Sequence, residues 1–330
     1  MHLKKFLSTL ILVSISAQLY AYELGHGATL NDTLTVGGYF SSGFQSNEQK
    51  DTLTFDDVAV LAYGDINSRF SYLGELEAVG FYQKNFTDGS DGGTQKFHIE
   101  RLYGDAWISD AFNIRFGKQI TPIGYWNLEP INVLRDTTSN PLYSMLLFPK
   151  FLTGIDINGY IPQCDSTRYH LFGQSTHDMD EEYINIPNTH FYGLSLEHEF
   201  PSNISVGGSI GEFTPLNSKE KTRFIQANWK YDSQPLLLTA EGVIAKKEYS
   251  DSQNDYVRSG YLQSVYHFSN EHALIGRYEY YNDQHQNYTD NIGILGYSYR
   301  PLYPVSIKGE YQWHSQENLD CVLLSFSVLF

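Results

Sequence analysis

The chain has 330 residues, and 38 acidic against 22 basic side chains leave a formal charge of −16. That sign disfavours nucleic-acid binding, which rests on Lys and Arg neutralising phosphates. Beyond residue 15, charged or turn residues interrupt every apolar stretch, which excludes a membrane-spanning helix of roughly 20 apolar residues. Aromatics nonetheless make up 15% of the chain, Tyr alone supplying 26 residues, so the placement of apolar residues has to be read segment by segment.

At the N-terminus Lys4 and Lys5 precede an apolar run, 6–15, followed by small and polar residues up to Ala21. A basic start, a short apolar run and a small residue at the cut predict a cleaved secretory signal peptide over 1–21, with Ala17 as the second candidate cut. Its removal takes two lysines and leaves a charge of −18. No composition shift, linker or repeat divides 22–330, which reads as one domain.

From Thr33 onward the chain falls into sixteen segments with period-two alternation: 33–45, 52–65, 69–82, 96–108, 111–121, 152–161, 166–175, 189–200, 203–213, 221–231, 235–246, 256–268, 271–281, 290–300, 303–314 and 320–330. A strand turns successive side chains to opposite faces. One face is apolar, as in Leu102/Gly104/Ala106/Ile108 or Leu274/Gly276/Tyr278/Tyr280. The opposite face carries Glu75 and Glu77, Arg101 and Asp105, Arg277 and Glu279, Lys308 and Glu310. Links alternate in length: 65–68, 109–110, 201–202, 232–234, 269–270 and 301–302 are tight, whereas 83–95, 176–188 and 282–289 are longer and polar. Aromatics cluster at both ends of the outward faces: Tyr280, Tyr311 and Trp313 at one end, Trp229, Tyr231, Tyr266, Phe268, Tyr297, Tyr299 and Phe330 at the other. A soluble β-sandwich has no reason for either regularity. Together they predict an all-β fold, a transmembrane antiparallel β-barrel of sixteen strands with a polar lumen.

One link departs from the others. The run 122–151 is about thirty residues long, and loops of that length inside a domain are usually functional. It is the third of the long links. Six apolar residues in 142–151 make full exposure costly, so the loop is expected to fold into the barrel. Ser139-Asn140-Pro141 can cap and start a short helix over 141–148, placing Leu142, Met145, Leu146 and Phe148 against the inner wall. The loop also brings Glu129, Arg135, Asp136 and Lys150. Glu129, Arg135 and Asp136 would face Glu75, Glu77, Arg101, Asp105 and Arg115 on the wall, forming a pore constriction. Five acidic and three basic groups predict a weak preference for cations.

The segment 100–127 (ERLYGDAWISDAFNIRFGKQITPIGYWN) resembles the strand–turn–strand of outer-membrane porins in the phosphate-selective O/P group. Arg101, Tyr103, Arg115, Gly117, Pro122 and Gly124 carry the match. The resemblance implies a Gram-negative porin with its long third loop in the pore. Phosphate selectivity does not follow, because this loop is charge-mixed rather than rich in Lys and Arg. The final run, DCVLLSFSVLF, is similar to the C-terminal strand of outer-membrane barrels: Val322, Leu324, Phe326, Val328 and Phe330 form one apolar face. That likeness implies that Phe326, Val328 and Phe330 are read by the barrel-assembly machinery, and that tight turns are periplasmic and long loops extracellular. A homotrimer is implied by the same analogy.

Acidic residues concentrate in the long links, at Asp88, Asp91, Asp178, Asp180, Glu181, Glu182 and Asp283. They suit a solvated outer face in contact with outer-membrane lipid and lipopolysaccharide, or a vestibule that enriches cations. Residues 178–182 lack the Gly and spaced final Glu of a calcium loop, and the eleven His show no ligand spacing, so neither metal nor cofactor is expected. Cys164 and Cys321 fall at opposite ends of the strand pattern, too far apart for a disulfide. No Ser-His-Asn or paired Asp/His set at a strand end suggests an enzyme. The expected function is passive diffusion of small hydrophilic solutes or ions. A substrate-specific channel for a sugar, organic acid or metal chelate is the alternative, with inward Tyr103, Trp107 and Tyr281 as stacking surfaces. A structural or adhesive barrel would need no infolded loop.

Overall fold

The computed structural model describes residues 22–330 apart from 94–95, 181–184, 217, 219 and 250–253. The signal segment and the pair Glu181 and Glu182 lie outside the described residues. Sixteen long strands run antiparallel, each paired with the next: β1 Leu34–Asn47, β2 Asp51–Asn67, β3 Phe70–Val79, β4 Lys96–Ser109, β5 Phe112–Ile120, β6 Phe151–Ile161, β7 Cys164–Gln174 and β8 Asn188–Phe200, then β9 Ile204–Pro215, β10 Lys221–Ser233, β11 Leu236–Glu248, β12 Asn254–His267, β13 His272–Asp283, β14 Tyr288–Leu302, β15 Val305–His314 and β16 Cys321–Leu329. β16 pairs with β1, Cys321 opposite Asn47 through to Leu329 opposite Tyr39, which closes the barrel and leaves no edge. All sixteen expected segments are present, with ends displaced by at most three residues.

Alternation decides which residue faces where. Leu76 is 58% exposed on the outer wall, whereas its neighbours Glu75 and Glu77 on the inner wall are 2% and 5% exposed. Ile225, Ile244, Leu262, Leu274, Leu295 and Ile307 continue the apolar outer band. At the tight-turn end Phe268, His272, Tyr297 and Tyr299 stack their rings, and at the other end Trp313 packs edge-on against Tyr311.

Three departures matter. β3 stops at Val79 because Gly80 takes a left-handed φ of 63°, and the following link is not simply loop. Its Tyr82–Asn85 segment pairs with the start of β2 and with Asp91–Gly92. A short hairpin, Tyr22–Glu23 with Gly27–Asn31, pairs onto the start of β1. The lumen is also polar only in part. On β7 to β12 the inward residues Phe172, Phe191, Phe213, Phe224, Val243, Ala245 and Val257 are buried, and they pack against the long loop. Alternation does not single them out, because they share the inward parity with polar residues such as Gln174, Gln226 and Glu241.

Candidate pore constriction and the loop that forms it

The loop between β5 and β6 is pinched at its root. The Thr121 N–H donates to the Lys150 carbonyl at 2.9 Å, its hydroxyl donates to the Pro149 carbonyl at 2.7 Å, and the Asn127 amide donates to the Thr121 carbonyl at 2.7 Å. The chain then turns at Gly124, φ 67°, where any Cβ would lie 2.0 Å from Glu241 Oε2. Only glycine lets the backbone come so near that carboxylate. Glu241, projecting inward from β11, accepts the Tyr125 and Trp126 N–H groups at 2.9 and 2.8 Å and the Tyr143 and Tyr261 hydroxyls at 2.9 and 2.5 Å.

From there the loop crosses to inward side chains of β13 to β16. Glu279 accepts the Leu142 N–H at 3.0 Å, and Glu310 accepts the Thr138 and Ser139 N–H groups at 2.9 and 3.1 Å. Arg277 donates to Thr137 Oγ1 at 2.7 Å. Lys308 Nζ is surrounded by the carbonyls of Asn132, Arg135 and Thr137 at 2.7, 3.2 and 3.0 Å, and Arg300 donates to the carbonyls of Val133, Leu134 and Arg135. A loop in the lumen carries backbone groups that need partners. Here charged wall side chains supply them, and the loop in turn satisfies charges that burial would otherwise penalise.

The loop's helix, α1, spans only Leu142–Leu146, with Pro141 as its N-cap residue and no side-chain cap. Ser139 and Asn140 do not cap it, because Arg277 holds the Ser139 hydroxyl and Trp126 and Arg135 occupy the Asn140 carbonyl oxygen. Its buried face also differs from the expected one. Tyr143, Leu147 and Phe148 are inside, with Leu142 partly so, whereas Met145 and Leu146 are 40% and 46% exposed. The Phe148 ring lies 5.9 Å from Phe224 and 5.6 Å from Tyr143, joining loop and wall in one apolar cluster.

With the loop bound to the far wall, a cavity of about 230 Å³ remains between it and the inward faces of β1 to β4. Tyr39, Ser41, Asp56, Asp57, Glu77 and Glu100 line the wall side, and Asn132, Arg135, Thr138 and Lys150 the loop side. The Tyr39 hydroxyl lies 3.1 Å from both Glu77 Oε1 and Glu100 Oε2, Lys150 Nζ is 3.4 Å from Glu100 Oε1, and the Ser41 hydroxyl donates to Asp57 at 2.6 Å. Burial lowers the Arg135 guanidinium to about 10, which leaves it charged at neutral pH.

The eight residues expected at the constriction are therefore divided. Arg135 and Glu77 line the cavity, and Glu75 sits on the same wall in an ion pair with Arg101. Glu129 is exposed, its carbonyl accepting from Arg135, and Asp136 lies 3.7 Å from Arg300 on β14 rather than beside the loop's root. Asp105 and Arg115 bond to each other at 2.7 and 2.9 Å in a separate cavity at the tight-turn end. Of the proposed stacking surfaces, Tyr281 is buried against Tyr288 and Tyr103 is covered by the Arg115 guanidinium at 4.0 Å, while Trp107 is 49% exposed. Asp57, Glu100, Glu241 and Arg300 had no sequence signal beyond inward parity, since their partners lie on other elements.

Scanned against protein-family models the chain matches none, and no curated protein matches it. Solved structures do match. An anion-selective porin from Comamonas acidovorans superposes with a TM-score of 0.66 at 10% identity, covering 90% of this chain and 99% of that one. OmpF of Salmonella typhi, solved with daunomycin, gives 0.65 at 11% identity over 91% and 98%. The outer-membrane channel DcaP of Acinetobacter baumannii gives 0.63 at 8% identity over 93% and 100%. The chain has the fold of the outer-membrane porins.

Proposed function

We propose that this barrel is an outer-membrane channel for passive diffusion of small hydrophilic solutes, with a weak preference for cations. The observation that carries the reading is the cavity left between the infolded loop and the wall. Sixteen strands enclose an aqueous channel unless something fills it, and here loop and aromatic wall fill one side only. Four carboxylates, Asp56, Asp57, Glu77 and Glu100, face two cations, Arg135 and Lys150. Fixed charges of net negative sign across a narrow aqueous gap favour the opposite ion.

The 100–127 resemblance to the phosphate-selective O/P group supports a place near those porins. Its motif residues have structural work here: Gly124 seats the loop on Glu241, and Arg115 stacks on Tyr103. The charge at the gap argues against anion selection. Export by the 1–21 signal, assembly through Phe326, Val328 and Phe330, contact with lipopolysaccharide and a homotrimer belong to the same proposal.

Reversal potentials across a planar bilayer in a salt gradient are the test. Cation preference should appear at low salt, shrink in Glu77→Gln and Glu100→Gln, and fade toward 1 M salt, where the Debye length is about 3 Å. Deleting 132–146 should raise single-channel conductance. Marked anion preference in the wild type would overturn the charge assignment, and unchanged conductance in the deletion would place the loop outside the path.

A further inference from the structure

Below the loop, toward the tight turns, a second cavity of about 370 Å³ opens between the 65–71 turn and the inner faces of β4 to β6. That is within the range of small-molecule sites, about 300–1,000 Å³. Trp107 lines it. Of the four tryptophans, Trp126 is buried under the loop, Trp229 and Trp313 share the outer-wall parity, and only Trp107 is both inward and exposed. A bare indole in an aqueous lumen is apolar surface left in water, at a place where packing does not use it.

Around it stand planar polar groups with unused capacity. Asn113 uses its Oδ1 to accept from the Ile108 N–H, and Asn158 uses its Nδ2 to donate to Asp156. Among the described residues, the Asn113 amino group, the Asn158 carbonyl oxygen and the Arg69 guanidinium have no protein partner. The charges that line the cavity, Asp65 and Asp105 against Arg69 and Arg115, balance. An apolar platform, paired amide donors and acceptors, and no net charge match a neutral pyranose. Its C–H face covers the indole while its hydroxyls each give and accept a bond.

We propose that this vestibule is a saccharide subsite centred on Trp107, refining the channel reading on which it rests from solutes in general to neutral sugars. The test adds maltose, glucose or the acyclic polyol sorbitol to the tight-turn side of single channels in a bilayer. Glucose and maltose should reduce the ion current saturably, and sorbitol, which has hydroxyls but no ring face, should not. Trp107→Ala should raise the half-blocking concentration about tenfold, the equivalent of 1.4 kcal/mol. Trp107→Phe should fall between, and Trp313→Phe on the outer wall should match the wild type. Equal block by sorbitol, or no shift in Trp107→Ala, would overturn the subsite. If no conductance is seen at all, the channel reading fails separately. Maltose-dependent quenching of fluorescence in detergent, present in the wild type and absent in Trp107→Phe, would then still support the site, and its absence would overturn it.

Discussion

At the scale of single residues the root of the loop is gathered on one carboxylate. Glu241 is 4% exposed and accepts two backbone N–H groups and two tyrosine hydroxyls, all of them donors. Glu241→Gln replaces one acceptor oxygen with an NH₂ that faces donors and removes the charge from the remaining bonds. Hydrogen bonds to a charged group are worth roughly 1.5–3 kcal/mol each, so the loop root should loosen by at least that much. Limited proteolysis of the folded barrel should cut within 122–131 faster in Glu241→Gln, with the barrel itself intact. Unchanged cutting would show that the root is held by Thr121 and Asn127 alone. None of this was legible beforehand. The parity of Glu241 is readable from the alternation in β11, but its partners Tyr125 and Trp126 lie 116 and 115 residues away.

At the scale of elements, strands were far more legible than the loop. A strand announces itself by period two, and barrel closure then fixes its neighbours. The loop announced only its length and its apolar content. Its helical phase is not readable from composition, because Met145 and Leu146 are as apolar as Tyr143 and Leu147, and tertiary contacts choose between them. Phe172, Phe191, Phe213 and Phe224 on β7 to β10 form the receiving surface, at inward positions beside buried polar ones such as Gln174, Ser209 and Gln226. Phe148, 1% exposed within that cluster, makes the element testable. Large-to-small changes at such aromatics cost about 3–5 kcal/mol. In Phe148→Ala the cost should fall on loop docking, so amides of 142–148 should exchange faster while strand amides keep their protection. Equal loss of protection in β1 and β16 would mean that the loop is integral to barrel stability.

At the scale of the whole molecule the seam between β16 and β1 is where closure succeeds or fails. The Phe330 N–H donates to the Gly38 carbonyl and the Gly38 N–H to the Phe330 carbonyl, both at 2.7 Å. A Cβ at Gly38 would lie 2.7 Å from the Phe330 ring and 2.4 Å from the Ala59 carbonyl, so glycine makes room for ring and neighbouring strand together. Cys321 reports on this seam, and Cys164 is the reference away from it. Cys321 opens β16 opposite Asn47 and is buried, while Cys164 is exposed at the tight-turn end of β7. In the folded wild type a maleimide should label Cys164 and spare Cys321, and boiling in SDS should expose both along with the gel shift of an unfolded barrel. Gly38→Val should disturb the seam by an overpacking cost of about 1–3 kcal/mol. That should raise Cys321 labelling and the fraction running as unfolded, with Cys164 unaffected. Ready labelling of Cys321 in the folded wild type would mean that β16 is not paired with β1 as described. Seam disruption by Gly38→Val without any change at Cys321 would confine the strain to the tight-turn end, because the strand pairs above Phe40 and Val328 would be holding on their own.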